Sequence, residues 1–195
     1  MKKYILIAGV NGSGKSTLYQ VLLSLHNMLR VNSDEILKEF GNWKSPDDVL
    51  KAGKIAARRI SQYIDDNQSF SQETTLCGRT VIKNIKKAKE KGYFIELHYV
   101  GVECVEIAKE RVLKRVRQGG HGVSEKDIER RYEETFKSLE VVLPICDLTA
   151  FYDNSDNIGM RRFAFYKNGY PKWVSHNVPQ WYENRISKQP PGAGL

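Results

Sequence analysis

The residues with the most recognisable chemistry form one run, Gly9-Val10-Asn11-Gly12-Ser13-Gly14-Lys15-Ser16, which fits the pattern G-x-x-x-x-G-K-[ST]. Its glycines carry no Cβ atoms, so the backbone can curl round an anion and direct successive N–H groups at phosphate oxygens. The lysine can reach the β- and γ-phosphates of a nucleoside triphosphate, and the serine hydroxyl can ligate a bridging Mg²⁺. The run predicts a nucleotide site that contains Gly9, Asn11, Gly12, Ser13, Gly14, Lys15, Ser16 and Thr17.

The elements on either side of this run have the order that a phosphate-binding loop requires. Residues 4–8 are apolar and predict a strand, and residues 17–23 are amphipathic and predict a helix. The partial positive charge at the N-terminus of that helix would favour the same phosphates. An accidental glycine-rich turn is the alternative, but it does not explain why strand, glycines, lysine and serine occur in register.

A candidate general base follows the second predicted strand, residues 28–34, which ends in polar side chains. Ligands of an open parallel sheet bind beyond the carboxyl ends of its strands, so Asp34 is directed at the same crevice as the phosphate-binding loop. It could act as a base or hold a magnesium-bound water. The alternative is that Ser33 or Asp34 caps the helix that begins at Glu35.

A second polar pair ends the third predicted strand, residues 69–75. Glu73 can accept hydrogen bonds from the hydroxyl groups of a sugar-like substrate, and Thr75 can donate or accept them. We therefore expect both residues in the acceptor site. The alternative is that they cap the Lys-rich helix that follows.

Two predicted helices joined by a glycine loop carry a cluster of arginines. Residues 105–116 and 125–142 have helical periodicity, and residues 118–122 break it. Phosphoryl transfer needs cations round the transferring group and exclusion of water, which a closing lid can supply. Two of the arginines should reach phosphate and the others should form surface pairs; the candidates are Arg115, Arg117, Arg130 and Arg131. A nucleic-acid patch is the alternative, but no aromatic residue is interleaved for base stacking.

The last part of the chain predicts a fifth strand at residues 145–155 and a hairpin. Asp153 and Asn154 end that strand and should line the pocket of the nucleotide base, although turn chemistry alone would also explain them. The hairpin joins residues 163–166 and 170–174 through Asn168-Gly169. A short helix near residues 178–186 and a loose tail, residues 190–195, complete the chain. His98 is expected to be a core histidine with its hydrogen bonds satisfied.

Composition sets the broad class. The 195 residues are 41% hydrophobic and 28% charged, which predicts one α/β domain with residues 161–195 packed on residues 1–160. No apolar run approaches the roughly 18 residues of a membrane span, so a cytoplasmic protein is expected. Three widely spaced cysteines argue against disulfides and a zinc site. The net charge of +8 suits either a polyphosphate or a nucleic acid.

Several of these motifs together resemble the zeta-toxin-like P-loop kinases, a family whose best known members are bacterial toxins that phosphorylate UDP-N-acetylglucosamine. The similarity is carried by G-V-N-G-S-G-K-S-T, V-N-S-D, Q-E-T-T-L, R-V-x-x-R-V-R-Q-G-G-H-G-V, I-E-R-R-Y and Y-D-N-S, and spans the chain to about residue 155. The resemblance implies that Lys15 and Ser16 handle ATP and Mg²⁺, that Asp34 is the base, and that the lid arginines stabilise the transition state. It also implies Glu73, Thr75 and His121 as acceptor contacts, and an antitoxin as a candidate partner.

Together these patterns predict a P-loop NTPase, kinase-like fold. It should have three α/β/α layers, a mainly parallel five-stranded sheet, an arginine-bearing lid and a C-terminal β-hairpin. The predicted function is ATP-dependent phosphorylation of a small-molecule hydroxyl, on a sugar or nucleotide-sugar. The predicted catalytic residues are Lys15, Asp34, Arg115, Arg117 and Arg130. An ATPase switch with a protein target and a nucleic-acid-associated NTPase are the alternatives, although nucleic acid is not the expected partner.

Overall fold

The computed structural model describes residues 1–22, 25, 27–156 and 158–187. One sheet contains seven strands: β1 Lys3–Ala8, β2 Leu29–Asn32, β3 Phe70–Thr74, β4 Phe94–Gly101, β5 Leu148–Asp153, β6 Arg161–Lys167 and β7 Tyr170–Val174. The α-helices are α1 Lys15–Val21, α2 Ser33–Phe40, α3 Pro46–Asp65, α4 Arg79–Glu90, α5 Val105–Arg117, α6 Glu125–Val142 and α7 Gln180–Tyr182. A π-helical turn, Glu183–Ser187, follows α7. The predicted tail, residues 190–195, lies outside the described residues.

The sheet has the strand order β2-β3-β1-β4-β5-β6-β7. The first five strands are parallel, and β6 and β7 add to β5 as an antiparallel hairpin. The predicted fold class is confirmed, but the strand count of five is wrong because the hairpin extends the sheet. The β6 strand of this hairpin pairs with the edge of β5, whose backbone N–H and C=O groups on that side would otherwise be unpaired.

Both faces of the sheet are covered, because side chains of β1 alternate between two apolar cores. Tyr4, Leu6 and Ala8 belong to the larger core, to which α3, α4 and α6 contribute. Ile5 and Ile7 belong to the smaller one, beneath α1. This arrangement confirms the three-layer architecture.

The register of the sheet brings the polar strand ends together. β3 lies between β2 and β1, with Glu73 opposite Asn32 on one side and opposite Ile7 on the other. The loop after β1, the start of α2 and the end of β3 therefore share one edge of the sheet, as expected for parallel strands.

Hydrogen bonds fix the start of α3 and satisfy the buried histidine His98, as predicted for that histidine. Ser45 caps α3 by accepting from the backbone N–H of Asp48. His98 is buried between Tyr152 and Glu96, with ring nitrogens 3.1 Å and 3.0 Å from their side-chain oxygens. Among the described residues, no helix has the length and apolar character needed to cross a bilayer.

Candidate active site

The phosphate-binding loop wraps against the backbone of neighbouring elements. Gly9 has a φ of 141° and Gly12 a φ of 83°, a region that residues with a Cβ rarely adopt. A Cβ at Gly12 would lie 2.5 Å from the carbonyl oxygen of Ala108, and one at Gly9 would overlap that of Val100. Only glycine fits at these two positions. Gly14 precedes α1 and offers no side-chain cap, so the first N–H groups of that helix have no side-chain acceptor there.

Lys15 is buried at the start of α1, where its Nζ donates to the carbonyl oxygen of Val10 at 2.9 Å. Burial lowers the pKa of Lys15, and the positive charges of Arg115 and Arg131 lower it further. Glu73 and Asp34 oppose that shift. A bound polyphosphate would stabilise the charged lysine at this point.

Glu73 is held from both sides by side chains of this chain. Its Oε1 accepts from Ser16 Oγ at 2.7 Å, and its Oε2 accepts from Arg30 and Asn32 at 2.9 Å and 3.0 Å. The alternative that Glu73 or Thr75 caps α4 is wrong, because Gly78 occupies that position without a side-chain cap. Arg30 was not predicted from the sequence; its guanidinium also lies 3.8 Å from the Tyr19 ring centroid.

Asp34 keeps its carboxylate free of any capping role. The cap of α2 is Asn32, whose Oδ1 accepts from the backbone N–H of Asp34 at 2.9 Å. The alternative that Ser33 or Asp34 is the cap is therefore wrong. Asp34 Oδ1 lies 3.5 Å from His121 Nε2, and 39% of the Asp34 side chain is exposed.

His121 lies in the loop between α5 and α6 and faces Asp34 across the site. Burial lowers the pKa of His121, nearby Arg115 and Arg131 lower it further, and Asp34 opposes the shift. Its ring centroid lies 6.2 Å from that of Trp43, a residue that sequence analysis did not select. Burial and the two arginines thus favour the neutral imidazole beside Asp34.

The arginines divide between the inside and the surface of the molecule. Arg131 Nη1 donates to Asn11 Oδ1 in the phosphate-binding loop at 2.9 Å. In the described structure, Nε and Nη2 of Arg115 are buried and have no hydrogen-bond partner. Arg130 instead pairs with Asp127 at 2.9 Å and Glu134 at 2.7 Å, and its side chain is half exposed.

Arg130 lines the same cavity as Lys15 but is held in these two ion pairs, and Arg117 is exposed at the end of α5. Arg115 and Arg131 take the inward positions. Arg131 follows the buried Ile128 by three residues and so lies near the inner face of α6, while Arg130 is turned by about 100° from it. That spacing was the available signal in the sequence.

The end of β5, which was predicted to line the pocket of the nucleotide base, is held by hydrogen bonds to neighbouring elements. Asp153 Oδ1 accepts from Trp181 Nε1 at 3.0 Å and from Ser155 Oγ at 2.5 Å. Asn154 Nδ2 donates to the carbonyl oxygen of Ser13 at 2.8 Å, which braces the phosphate-binding loop. Arg111 in turn donates to the carbonyl oxygen of Asn154 at 2.6 Å.

One cavity of about 970 Å³ opens at this edge of the sheet. It brings together most of the predicted acceptor and catalytic side chains, namely Lys15, Asp34, Glu73, Thr75, His121 and Arg130, with Arg131 beside Asn11. Arg115 and Arg117 are not among the described residues that line it. Within the described residues, no group of three or more His, Cys, Asp or Glu side chains could hold a metal ion. A Mg²⁺ that keeps waters and phosphate oxygens as ligands does not require such a group.

The chain is similar in sequence to a known protein family and to a curated protein. Residues 1–158 match the zeta toxin family. An uncharacterized protein of Haemophilus influenzae (strain ATCC 51907 / DSM 11121 / KW20 / Rd) is 34% identical over 130 residues, which cover 67% of this chain and 92% of that protein.

Two solved structures share the fold. The PezAT chromosomal toxin-antitoxin system of Streptococcus pneumoniae gives a TM-score of 0.60 at 19% identity, covering 79% of this chain and 69% of that one. AvrRxo1-ORF1:AvrRxo1-ORF2 with sulphate ions gives 0.70 at 15% identity, covering 100% and 66%. This chain therefore spans just under two thirds of the AvrRxo1 chain.

The sequence match extends from the first residue to beyond Asn154 and so includes the phosphate-binding loop and all the residues named above as cavity lining, but not Trp181. Membership of this family points to nucleotide binding. The chain belongs to the zeta toxin family and is a P-loop kinase.

Proposed function

We propose that the protein transfers the γ-phosphoryl group of ATP to a hydroxyl group of a small molecule. One observation carries the proposal: Asn11 and Lys15 of the phosphate-binding loop, Arg131 and the Asp34 carboxylate line one cavity, and the charge of Arg115 acts on Lys15. Phosphoryl transfer depends on positioning and electrostatic stabilisation more than on covalent catalysis, and these groups supply both.

The residues present fit a nucleoside triphosphate with Mg²⁺. Gly9 and Gly12 let the loop pack closely against the carbonyl groups of Val100 and Ala108. The buried Arg115 nitrogens and Ser13 Oγ have no partner within the described structure. Phosphate oxygens would accept from these donors and from Lys15. Ser16 would hold Mg²⁺, which supplies charge neutralisation on the phosphoryl oxygens when bound.

The acceptor half of the site is proposed to activate and orient a hydroxyl. Asp34 accepts the hydroxyl proton while the acceptor oxygen bonds to the γ-phosphorus. The bond between the γ-phosphorus and the oxygen that bridges the β- and γ-phosphates breaks, and ADP leaves. Arg115 and Arg131 stabilise the charge that develops on the transferring group. Glu73 and Thr75 orient the acceptor from the end of β3.

The acceptor class proposed is a sugar or a nucleotide-sugar, with UDP-N-acetylglucosamine among the first to test. The carboxylate and hydroxyl groups along the cavity support a polyhydroxyl acceptor, because they can exchange hydrogen bonds with its hydroxyl groups.

Label transfer from γ-labelled ATP tests the proposal. Wild-type protein and Lys15→Ala are incubated with sugars, nucleotide-sugars and RNA, and products are separated. We expect transfer to a small molecule that Lys15→Ala abolishes. ATP hydrolysis with no labelled acceptor in a broad panel would favour an ATPase switch, and labelling of RNA would favour the nucleic-acid alternative.

A protein partner of the antitoxin type belongs to the same proposal, because the PezAT structure comes from a toxin-antitoxin system. Expression of the chain alone in a bacterial host is the test. We expect arrested growth that Lys15→Ala relieves. Normal growth at a verified level of folded, active protein would contradict a toxin role.

A further inference from the structure

The C-terminal part of the chain lies outside both the family match and the cavity. Residues 159–187 follow the region that matches the zeta toxin family, and none of their described side chains lines the cavity. They include β6, β7 and α7, and Trp181 of α7 is only 2% exposed. The contacts of this tryptophan connect the C-terminal part to the phosphate-binding loop.

Trp181 is held against the ends of β4 and β5. A Cβ built on Gly101, the last residue of β4, would overlap the Trp181 ring, so the ring packs directly on the backbone there. Nε1 of Trp181 donates to Oδ1 of Asp153, the last residue of β5, at 3.0 Å. Gly101 and Asp153 are opposite each other in the sheet. Because a buried indole N–H needs an acceptor, this hydrogen bond fixes the ring relative to Asp153.

Asn154 continues this connection to the phosphate-binding loop. Its backbone N–H donates to the carbonyl oxygen of Gly101 at 3.1 Å, and its Nδ2 donates to that of Ser13 at 2.8 Å. A Cβ on Gly14 would lie 2.5 Å from the same Nδ2. The backbone of Asn154 is therefore held by the strand ends that Trp181 contacts, and its side chain contacts the loop directly before Lys15.

The hydrogen bond to Ser13 orients a donor of the phosphate-binding loop. The peptide unit between Ser13 and Gly14 is planar and trans, so its C=O and N–H groups point in opposite directions. A carbonyl oxygen held toward Asn154 directs the Gly14 N–H away from Asn154. Backbone N–H groups of such a loop bind phosphate oxygens, so rotation of this peptide unit would weaken phosphate binding.

We propose that Trp181 is a positioning residue for the bound nucleoside triphosphate. Through Asp153 and Asn154, it holds the peptide unit after Ser13 so that the next N–H is available to a phosphate group. The inference rests on the proposed function for the identity of the nucleotide. It extends the nucleotide site to a part of the chain that lies beyond the family match.

Trp181→Phe tests this connection, because it keeps an aromatic ring in the core and removes the N–H that Asp153 accepts. The affinity for a non-hydrolysable ATP analogue with Mg²⁺, measured by calorimetry, should fall about three- to tenfold, the range expected for loss of one hydrogen bond. The matched control is Tyr182→Phe, which removes a buried hydrogen bond to Tyr166 from the same helix. It should lower the free energy of unfolding and leave the affinity unchanged.

A second measurement needs no nucleotide. The NMR chemical shift of the Gly14 backbone amide should change in nucleotide-free Trp181→Phe and should keep its wild-type value in Tyr182→Phe. Asp153→Ala removes the acceptor and keeps the indole ring, so it should reproduce the change. This variant also tests the connection if Trp181→Phe does not fold.

A double-mutant cycle tests the route through Asn154. Asn154→Ser should weaken binding of the analogue by itself, and Trp181→Phe should add little to that loss. An equal loss from Trp181→Phe in both backgrounds would overturn the inference, because Trp181 would then act by another route. So would an unchanged affinity and an unchanged Gly14 amide in folded Trp181→Phe, which would make Trp181 a core residue only.

The two proposals fail in distinguishable ways. Absence of phosphoryl transfer from ATP would contradict the proposed function, and the nucleotide-free Gly14 amide would still test the role of Trp181. Normal transfer, with affinity and Gly14 amide unchanged in Trp181→Phe, would contradict the positioning role alone.

Discussion

Ser16 Oγ donates a hydrogen bond of 2.7 Å to Oε1 of Glu73. This contact joins the residue predicted to hold Mg²⁺ to the residue predicted to orient the acceptor. The other carboxylate oxygen of Glu73 accepts from Arg30 and Asn32, so the end of β3 is connected to both β2 and the phosphate-binding loop. The nucleotide and acceptor halves of the site therefore share one buried carboxylate, of which only 9% of the side chain is exposed.

Glu73→Gln should destabilise the protein and raise the Michaelis constant for the acceptor. The amide places N–H donors against the donors of Ser16 or of Arg30 and Asn32, so buried groups lose their partners. Each such loss costs about 1–3 kcal/mol. Chemical denaturation would give the free energy of unfolding, and initial rates at several acceptor concentrations would give the Michaelis constant.

The control for that change is Glu35→Gln, which removes the second carboxylate of Arg30. Glu35 is about half exposed, so its loss should cost no more than about 1 kcal/mol. Equal losses in the free energy of unfolding for the two substitutions would mean that the hydrogen bonds of Glu73 stabilise the fold no more than the exposed ion pair of Glu35 does.

The phosphate-binding loop and the parallel strands could be predicted from sequence because both depend on local patterns. The features used were loop glycines, strand hydrophobicity and helix caps such as Ser45. Each of them depends only on residues that are close in sequence. The choice of Arg131 over Arg130 was not predicted. It depends on the rotation of α6 against the sheet, and that rotation is fixed by the packing of Ile128 and Tyr132 in the core.

Arg131→Gln should lower turnover strongly, while Arg130→Gln should change it by only a few-fold. Arg131 contacts Asn11 in the phosphate-binding loop, and Arg130 forms surface pairs with Asp127 and Glu134. An arginine that stabilises transferring phosphoryl groups contributes about 10³–10⁵ to the rate. Turnover of the two purified variants at saturating ATP is the measurement, and a larger loss in Arg130→Gln would contradict this assignment.

The cap of α2 shows a different limit of prediction. Ser33, Asp34 and Asn32 are all competent caps, so the composition of the turn does not decide among them. The structure selects Asn32 because it ends β2 in an extended conformation, with φ −134° and ψ 115°, and can turn its Oδ1 toward the first helical N–H groups. Likewise, the contact between Asp153 and Trp181 joins residues 28 positions apart and has no local signature.

His121 should make the protein less stable in mild acid. Its pKa is lowered in the folded state by burial, whereas in the unfolded chain it is about 6.5. Between the folded pKa and 6.5 the unfolded state binds more protons, so the free energy of unfolding falls as pH falls through that window. Above it, the neutral imidazole imposes no such loss.

Urea denaturation of wild type and His121→Gln at several values between pH 5 and pH 8 measures this effect. The stability difference between the two proteins should be constant at pH 7 and above, and should shift in favour of His121→Gln as the pH falls. A difference that does not vary with pH would show that His121 has the same proton affinity in both states.

Asp34→Asn should lower the rate of phosphoryl transfer while leaving ATP binding and the fold intact. The backbone N–H of residue 34, not its side chain, takes part in the cap of α2, so the amide substitution leaves that hydrogen bond in place. A general base contributes about 10²–10⁴ to the rate, so turnover should fall by that order.

Steady-state kinetics with an identified acceptor and calorimetry with ATP and Mg²⁺ are the measurements. Glu35→Gln is the control for loss of a neighbouring carboxylate. Loss of ATP binding in Asp34→Asn would assign Asp34 to the surroundings of the metal instead. A near wild-type rate would exclude Asp34 as the base. Glu73 would then be the next candidate, because its charge also acts on the pKa of Lys15.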